Sequence, residues 1–244
     1  MDEGASIGRR VAFFGGSFDP PHAGHVALAR AARAALLLDT VLFVPVGAQP
    51  LKPEGSSASF EDRLAMTRLA IAGESGFSVS LLDAPKPLAG PNYTADSLVR
   101  LRAQIPVGGA LFCLVGADSF LSLRHWHRAA EIPFLAALIV VSRPGLPLED
   151  LSGALPAGLA VVPDPVGFQP AGEAVREAVE LRSYRVSNFT GETAPLYVLP
   201  GLHLEISASQ IRSAIGAAAD DSAEEPSLLS PKVLEYIRAH GLYR

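Results

Sequence analysis

The chain has 244 residues, 49% of them hydrophobic and 18% charged, with a formal net charge of −5 and one cysteine, Cys113. That supply of apolar side chains suffices for a large buried core, while the acidic balance speaks against a polyanion held by a general positive field. A single cysteine excludes an intramolecular disulfide and a thiolate zinc cluster.

In chain order, Val11–Phe14 is predicted to be a buried strand and His22–Leu38 a helix rich in Ala and Leu. Val41–Val46 follows as a second strand. Ser59, with Asp62 three residues on, opens a helix that Gly73 closes. Phe77–Leu82 reads as a strand, Thr94–Gln104 as a helix ended by Pro106, and Ala110–Val115 and Ala137–Val141 as further strands around a short helical stretch near Trp126. Continuous apolar strands separated by helices imply a parallel sheet covered on both faces, hence an α/β, Rossmann-like, doubly wound core. Residues 144–200, rich in Pro and Gly with one helical stretch near Glu173–Leu181, are expected to form an irregular insertion. Strands at Leu196–Leu199 and His203–Ile206 and a helix from Ser207 come next. After an acidic loop, Ser230-Pro231 caps a last helix, Pro231–His240, that Gly241 stops, which makes a small C-terminal helical portion. The longest strongly apolar run, Ile132 to Val141, is too short to span a bilayer, and Arg9-Arg10 precede only four apolar residues. The expectation is a cytoplasmic protein without membrane or nucleic-acid partners; formation of a homo-oligomer stays open.

The chemistry is expected where the first strand runs into Gly15-Gly16-Ser17-Phe18-Asp19-Pro20-Pro21-His22-Ala23-Gly24-His25. Two glycines at the C-terminal end of a strand let the backbone come close to a ligand and cradle phosphate oxygens. No Gly-Lys-Ser/Thr follows, and there is no Gly-x-Gly-x-x-Gly. His22 and His25, three apart at the start of a helix, share one face beside a positive dipole end, and an imidazole donates a hydrogen bond in either protonation state. One such histidine would more often cap or pack the helix; two behind a glycine pair point to phosphate. Far downstream, Ser207 and Gln210 form a capping box, which leaves Ser209 and Arg212 three apart on one helical face, suited to a triphosphate. Asp118, at the end of the strand Ala110–Val115, is placed to accept from ribose hydroxyls or to cap the next turn.

These segments resemble the nucleotidyltransferase superfamily marked by His-x-Gly-His. In particular, Gly15 to His25 is similar to the opening of bacterial nicotinate-nucleotide adenylyltransferases, and Ile206-Ser207-Ala208-Ser209-Gln210-Ile211-Arg212 resembles the C-terminal Ile-Ser-x-Thr-x-Ile-Arg motif, with Ser209 in place of Thr. Gly116-Ala117-Asp118, Leu123-Arg124-His125-Trp126, Tyr93-Thr94, Lys52 in a Pro-rich loop and the closing Val233 to Tyr243 also match. Asn92 stands where the family has Ser, and Leu51 where it has His. The resemblance implies one nucleotidyltransferase domain over residues 1–244, ATP and nicotinate mononucleotide as substrates, and magnesium arriving with ATP. It implies His22, His25 and Arg212 as catalytic residues, and Gly15, Gly16, Ser17, Phe18, Ser207, Ser209 and Asp118 around ATP. Trp126 would stack on the pyridine ring, Thr94 and the His127 N–H would hold its carboxylate, and Lys52 would meet the mononucleotide phosphate. Sister transferases acting on nicotinamide mononucleotide, phosphopantetheine or cytidylyl donors, and a non-catalytic nucleotide sensor, are the competing readings.

Overall fold

The computed structural model describes residues 8–50, 55–86, 90–142, 151–167, 180–200, 207–217 and 228–244. Strand β1, Arg10–Gly16, lies between β2, Thr40–Pro45, and β4, Ala110–Gly116; β3, Phe77–Val79, borders β2, and β5, Ala137–Val141, borders β4. All four pairings are parallel. Parallel neighbours need crossovers, and the sequence supplies helices for them. Helix α1, Ala23–Leu36, joins β1 to β2; α2, Phe60–Ala70, leads to β3; α3, Thr94–Arg102, leads to β4. Short helices α4, Ala117–Leu121, and α5, Ile132–Leu135, flank a 3₁₀ turn at Leu123–His125 before β5.

Period-two alternation divides the core. Val11, Phe13, Cys113 and Val115 face α3, whose Ala95, Leu98 and Leu101 are buried with them. Ala12, Phe14, Phe112 and Leu114 face α1, through Ala29, Ala32 and Leu36. With helices on both faces, the sheet is the doubly wound, Rossmann-like one expected. Strand order 3-2-1-4-5 reverses direction between β1 and β4, so the C-terminal ends of those two strands open the crevice where ligands bind in such folds.

The segment 144–200 departs from expectation. It holds a one-turn helix α6, Leu151–Ala154, and strands β6, Leu159–Pro163, β7, Arg182–Asn188, and β8, Thr193–Leu199. β8 pairs parallel with β5, then β7 and β6 add antiparallel at the edge, completing an eight-stranded sheet. The polar run Arg182-Ser183-Tyr184-Arg185 hides this pattern, because an antiparallel strand needs only one apolar face and β7, between β8 and the edge strand β6, fully buries only Val186. The helix expected near Glu173–Leu181, the strand His203–Ile206 and Lys52 lie outside the described residues or, for 180–181, outside any helix.

A third apolar cluster joins α2 to two C-terminal helices, α7, Ala208–Ala217, and α8, Pro231–His240, through Ala58, Met66, Ile211, Leu229, Val233 and Ile237. Ser230 caps α8 at the Val233 N–H, and Gly241 ends it at φ 62°. This cluster carries the C-terminal motif back toward the end of β1. Among the described residues no helix is long and apolar enough to cross a membrane.

Candidate active site

The glycine pair is demanded first by the protein itself. A Cβ on Gly15 would lie 2.7 Å from the Phe13 ring, and one on Gly16 would crowd the Phe18 ring at 3.2 Å. Phe18 has a left-handed backbone, φ 49°, and its ring, 1% exposed, packs on Phe14, Phe43 and His25. Of Phe18, then, only the backbone is open to a ligand. The Ser17 hydroxyl donates to Gln49 Oε1 at 2.8 Å, which ties the turn after β1 to the loop after β2.

His22 is the N-cap of α1 and His25 its third residue, in a reciprocal capping-box arrangement. Their rings lie 3.8 Å apart between centroids, on one face as the spacing required. The His22 N–H donates to His25 Nδ1 at 3.2 Å. A backbone amide can only donate, so Nδ1 is the acceptor and the proton of the neutral ring sits on Nε2. His25 is thereby set to offer an Nε2–H donor.

Arg212 arrives from the other end of the chain. Its Nη1 donates to the Asp19 carbonyl at 2.7 Å, three residues before His22. At the start of the same helix Gln210 N donates to Ser207 Oγ at 3.1 Å, and Ser207 N to Gln210 Oε1 at 3.2 Å, the expected capping box. Ser207 Oγ also lies 3.0 Å from Ser209 Oγ. The histidines, the guanidinium and the two hydroxyls of this helix start therefore belong to one neighbourhood.

The Asp19 side chain, 5% exposed, fastens that neighbourhood. It accepts from the Ser57 N–H at 2.7 Å, the Ala58 N–H at 3.1 Å and the Tyr243 hydroxyl at 2.8 Å. Burial, and then the hydrogen bond to Asp19, push the Tyr243 phenol well above its ordinary range, so it stays a donor. Beside it, Arg63 is buried with its guanidinium spent on three carbonyls, and burial lowers its pKa.

On the far side of the crevice, Gly116 rather than Asp118 caps α4, and Asp118 stands exposed at the second helical position. Tyr93, not Thr94, is the N-cap of α3, without a side-chain cap bond, so Thr94 opens the helix with its hydroxyl unused for capping. The Asn92 amide oxygen accepts from the Ala48 N–H at 2.9 Å, and the Asn92 N–H returns a bond to the Ala48 carbonyl. That pair joins the turn before α3 to the loop after β2. Trp126 is half-buried against the core, with its indole N–H on Ser122 Oγ at 3.2 Å. The His127 ring meets that of Tyr93 at a tilt of 32°, with centroids 4.2 Å apart, which brings Trp126-His127 and Tyr93-Thr94 together. Among the described residues, no group of three His, Cys, Asp or Glu side chains is disposed to hold a metal.

Residues 13–214 match the model of the cytidylyltransferase-like family. The chain is 37% identical over 238 residues to a protein of Gloeobacter violaceus named "Probable nicotinate-nucleotide adenylyltransferase", covering 97% of each chain. It is also 37% identical to a Trichlorobacter lovleyi protein of the same name, over 96% of this chain and 99% of that one. A nicotinic acid mononucleotide adenylyltransferase of Plasmodium falciparum, solved with NaAD, shares the fold with a TM-score of 0.59 at 17% identity, covering 96% of both chains. This chain belongs to the nicotinate-nucleotide adenylyltransferase family.

Reasoning from sequence missed several residues that shape the site of this family member. Asp19 lies inside the motif with no role assigned by the sequence, and Tyr243 stands there only as part of the matching closing segment. Arg63 carried a usable signal: it lies three and four residues before Met66 and Thr67, both fully buried, so helical spacing puts it on the inward face of α2. An arginine on such a face needs partners.

Proposed function

We propose that this chain transfers the adenylyl group of ATP to nicotinate mononucleotide, forming nicotinate adenine dinucleotide and releasing pyrophosphate. The observation that carries the reading is the bond from Arg212 to the Asp19 carbonyl, 193 positions apart, which brings a guanidinium to the turn of the two histidines.

The attacking mononucleotide phosphate is already an anion, so no protein nucleophile is needed. Its oxygen bonds to the α-phosphorus, the bond from that phosphorus to the bridging oxygen breaks, and pyrophosphate leaves with the electron pair. Catalysis is then positioning and charge stabilisation. His25 Nε2–H supports the α-phosphate oxygens as charge builds there. His22, Arg212 and Ser209 hold the leaving pyrophosphate, with Ser207 ordering the helix start and the backbone from Gly15 to Phe18 lining the other side. Asp118 serves the ATP ribose. Magnesium enters as part of the ATP substrate; a cation coordinated mainly by phosphates and water requires no carboxylate cage from the chain.

Trp126 offers the pyridine ring a platform, and Lys52 the mononucleotide phosphate a cation. Thr94 and the His127 N–H take the nicotinate carboxylate, a choice supported by the positive dipole end of α3 beside them. We further propose that residues 1–244 act as one cytoplasmic nucleotidyltransferase domain whose partners are these nucleotides rather than nucleic acid. The test is pyrophosphate release from ATP with nicotinate and with nicotinamide mononucleotide, side by side. Faster release with the acid is expected. Equal or faster release with the amide would overturn the acid preference, and ATP binding without release from either would make the chain a sensor.

A further inference from the structure

Arg63 is a buried cation that the reaction scheme does not use. It sits one turn into α2 and is 2% exposed. Its Nη1 donates to the Ser17 carbonyl at 2.6 Å, its Nη2 to the Val46 carbonyl at 2.9 Å and its Nε to the Ala58 carbonyl at 3.3 Å. Ser17 and Val46 each follow the last residue of a strand, and those last residues, Gly16 and Pro45, stand opposite each other in the parallel β1–β2 register. One planar fork therefore fastens two neighbouring strand ends and the entry to α2.

We propose that Arg63 is a positioning residue for adenylyl transfer, holding the turn after β1 so that its peptide groups and the His25 ring face the triphosphate. The inference rests on the reading of Gly15–His25 as the nucleotide site.

Three features of the geometry support it. First, a trans peptide plane points its C=O and the next N–H in opposite directions. With the Ser17 carbonyl drawn inward to the guanidinium, the Phe18 N–H is turned outward, away from the core. Second, Phe18 is left-handed at φ 49°, a conformation that a bulky residue keeps only when its surroundings impose it. Arg63 fixes the peptide group on one side of that residue. On the other side the ring is wedged among Phe14, Phe43 and His25, the last with centroids 5.0 Å apart, edge to face. A shift of the Ser17–Phe18 peptide is thus passed directly to the His25 imidazole. Third, Arg63 makes no salt bridge among the described residues; its donors go to the three carbonyls, and Asp19 bears on it through its charge alone.

Lysine would keep the charge but not the diverging fork. Arg63→Lys is therefore expected to lower kcat by roughly 10–100-fold, the scale of lost charge-assisted hydrogen bonds, with the KM for nicotinate mononucleotide within about twofold of the parent. The control is Met66→Ala, which removes a fully buried side chain from the same helix face without touching the three carbonyls and should keep the parental kcat per folded molecule. Equal fractional losses in both variants would reduce Arg63 to a fold-stability role. A measurement on the parent alone covers the case in which Arg63→Lys does not fold: titration of the ¹⁵N-labelled protein with ATP and magnesium should shift the Phe18 amide among the largest changes. A Phe18 amide that stays still would overturn the inference. ATP binding that moves Phe18 in a parent without pyrophosphate release would leave this geometry standing and remove the proposed reaction instead.

Discussion

The two sides of the crevice are built differently. The proposed phosphate side, from Gly15 to His25 with Arg212, is fastened by wholly or partly buried hydrogen bonds between residues far apart in sequence: Asp19 to Ser57, Ala58 and Tyr243, Arg63 to Ser17 and Val46, Arg212 to Asp19. The proposed pyridine side, Asn92–Thr94 with Trp126 and His127, is held nearer the surface, by the tilted contact of Tyr93 with His127, the exposed Arg128–Asp96 ion pair, the indole bond to Ser122 and the pair of hydrogen bonds to Ala48, and His127 is exposed. Charge stabilisation needs donors fixed before the reaction, since reorganising them during it costs free energy. A flat ring and its carboxylate can be gripped by groups that settle on binding. Substitutions should therefore lower kcat on the first side and raise KM on the second.

The largest effect is expected at His25. Replacing it with Ala removes the oriented Nε2–H donor and should lower kcat by roughly 10²–10³-fold with the mononucleotide KM little changed; steady-state turnover within threefold of the parent would take His25 out of that role. Next comes Arg212→Lys, expected to cost roughly 10–100-fold in kcat/KM for ATP. If that loss fell instead on the mononucleotide alone, the guanidinium would belong to the other side of the crevice. Tyr243→Phe removes one hydrogen bond from Asp19, and about 1–2 kcal/mol of stability should go with it, lowering Tm by roughly 2–8 °C. Calorimetry that finds no change would show the Asp19 clasp to be energetically idle. The smallest effect is expected from His127→Ala, which removes the tilted ring contact with Tyr93 and should raise the mononucleotide KM by roughly two- to tenfold while sparing kcat. A kcat loss as large as that of Arg212→Lys would erase the contrast between the two sides.

What could be read from the sequence follows the same contrast. The central strands announce themselves because both faces are buried and every residue is apolar, as in Leu111 to Val115. The His22/His25 turn was legible because helical spacing and a strand end are local facts. Strands β6 and β7 were not, since half-exposed antiparallel strands with Pro and Arg carry little periodic signal. Nor were the partners of Asp19: no local pattern tells a carboxylate that its acceptors will be filled by amides 38 and 39 positions on and a phenol 224 positions away. Asn92, a departure from the family's usual Ser, acquires a reason in its two-way bond with Ala48, which needs the amide oxygen.

The clasp between Asp19 and Tyr243 also has a bearing on how the protein is made. Asp19 leaves the ribosome more than two hundred residues ahead of its phenol partner. Until then the turn of the two histidines lacks part of its fastening, and the arginine of α7 has no finished helical layer to lean on. A chain released short of Tyr243 would lack one of the three donors to Asp19, so the fastening of the turn is complete only once this last helical layer has been made.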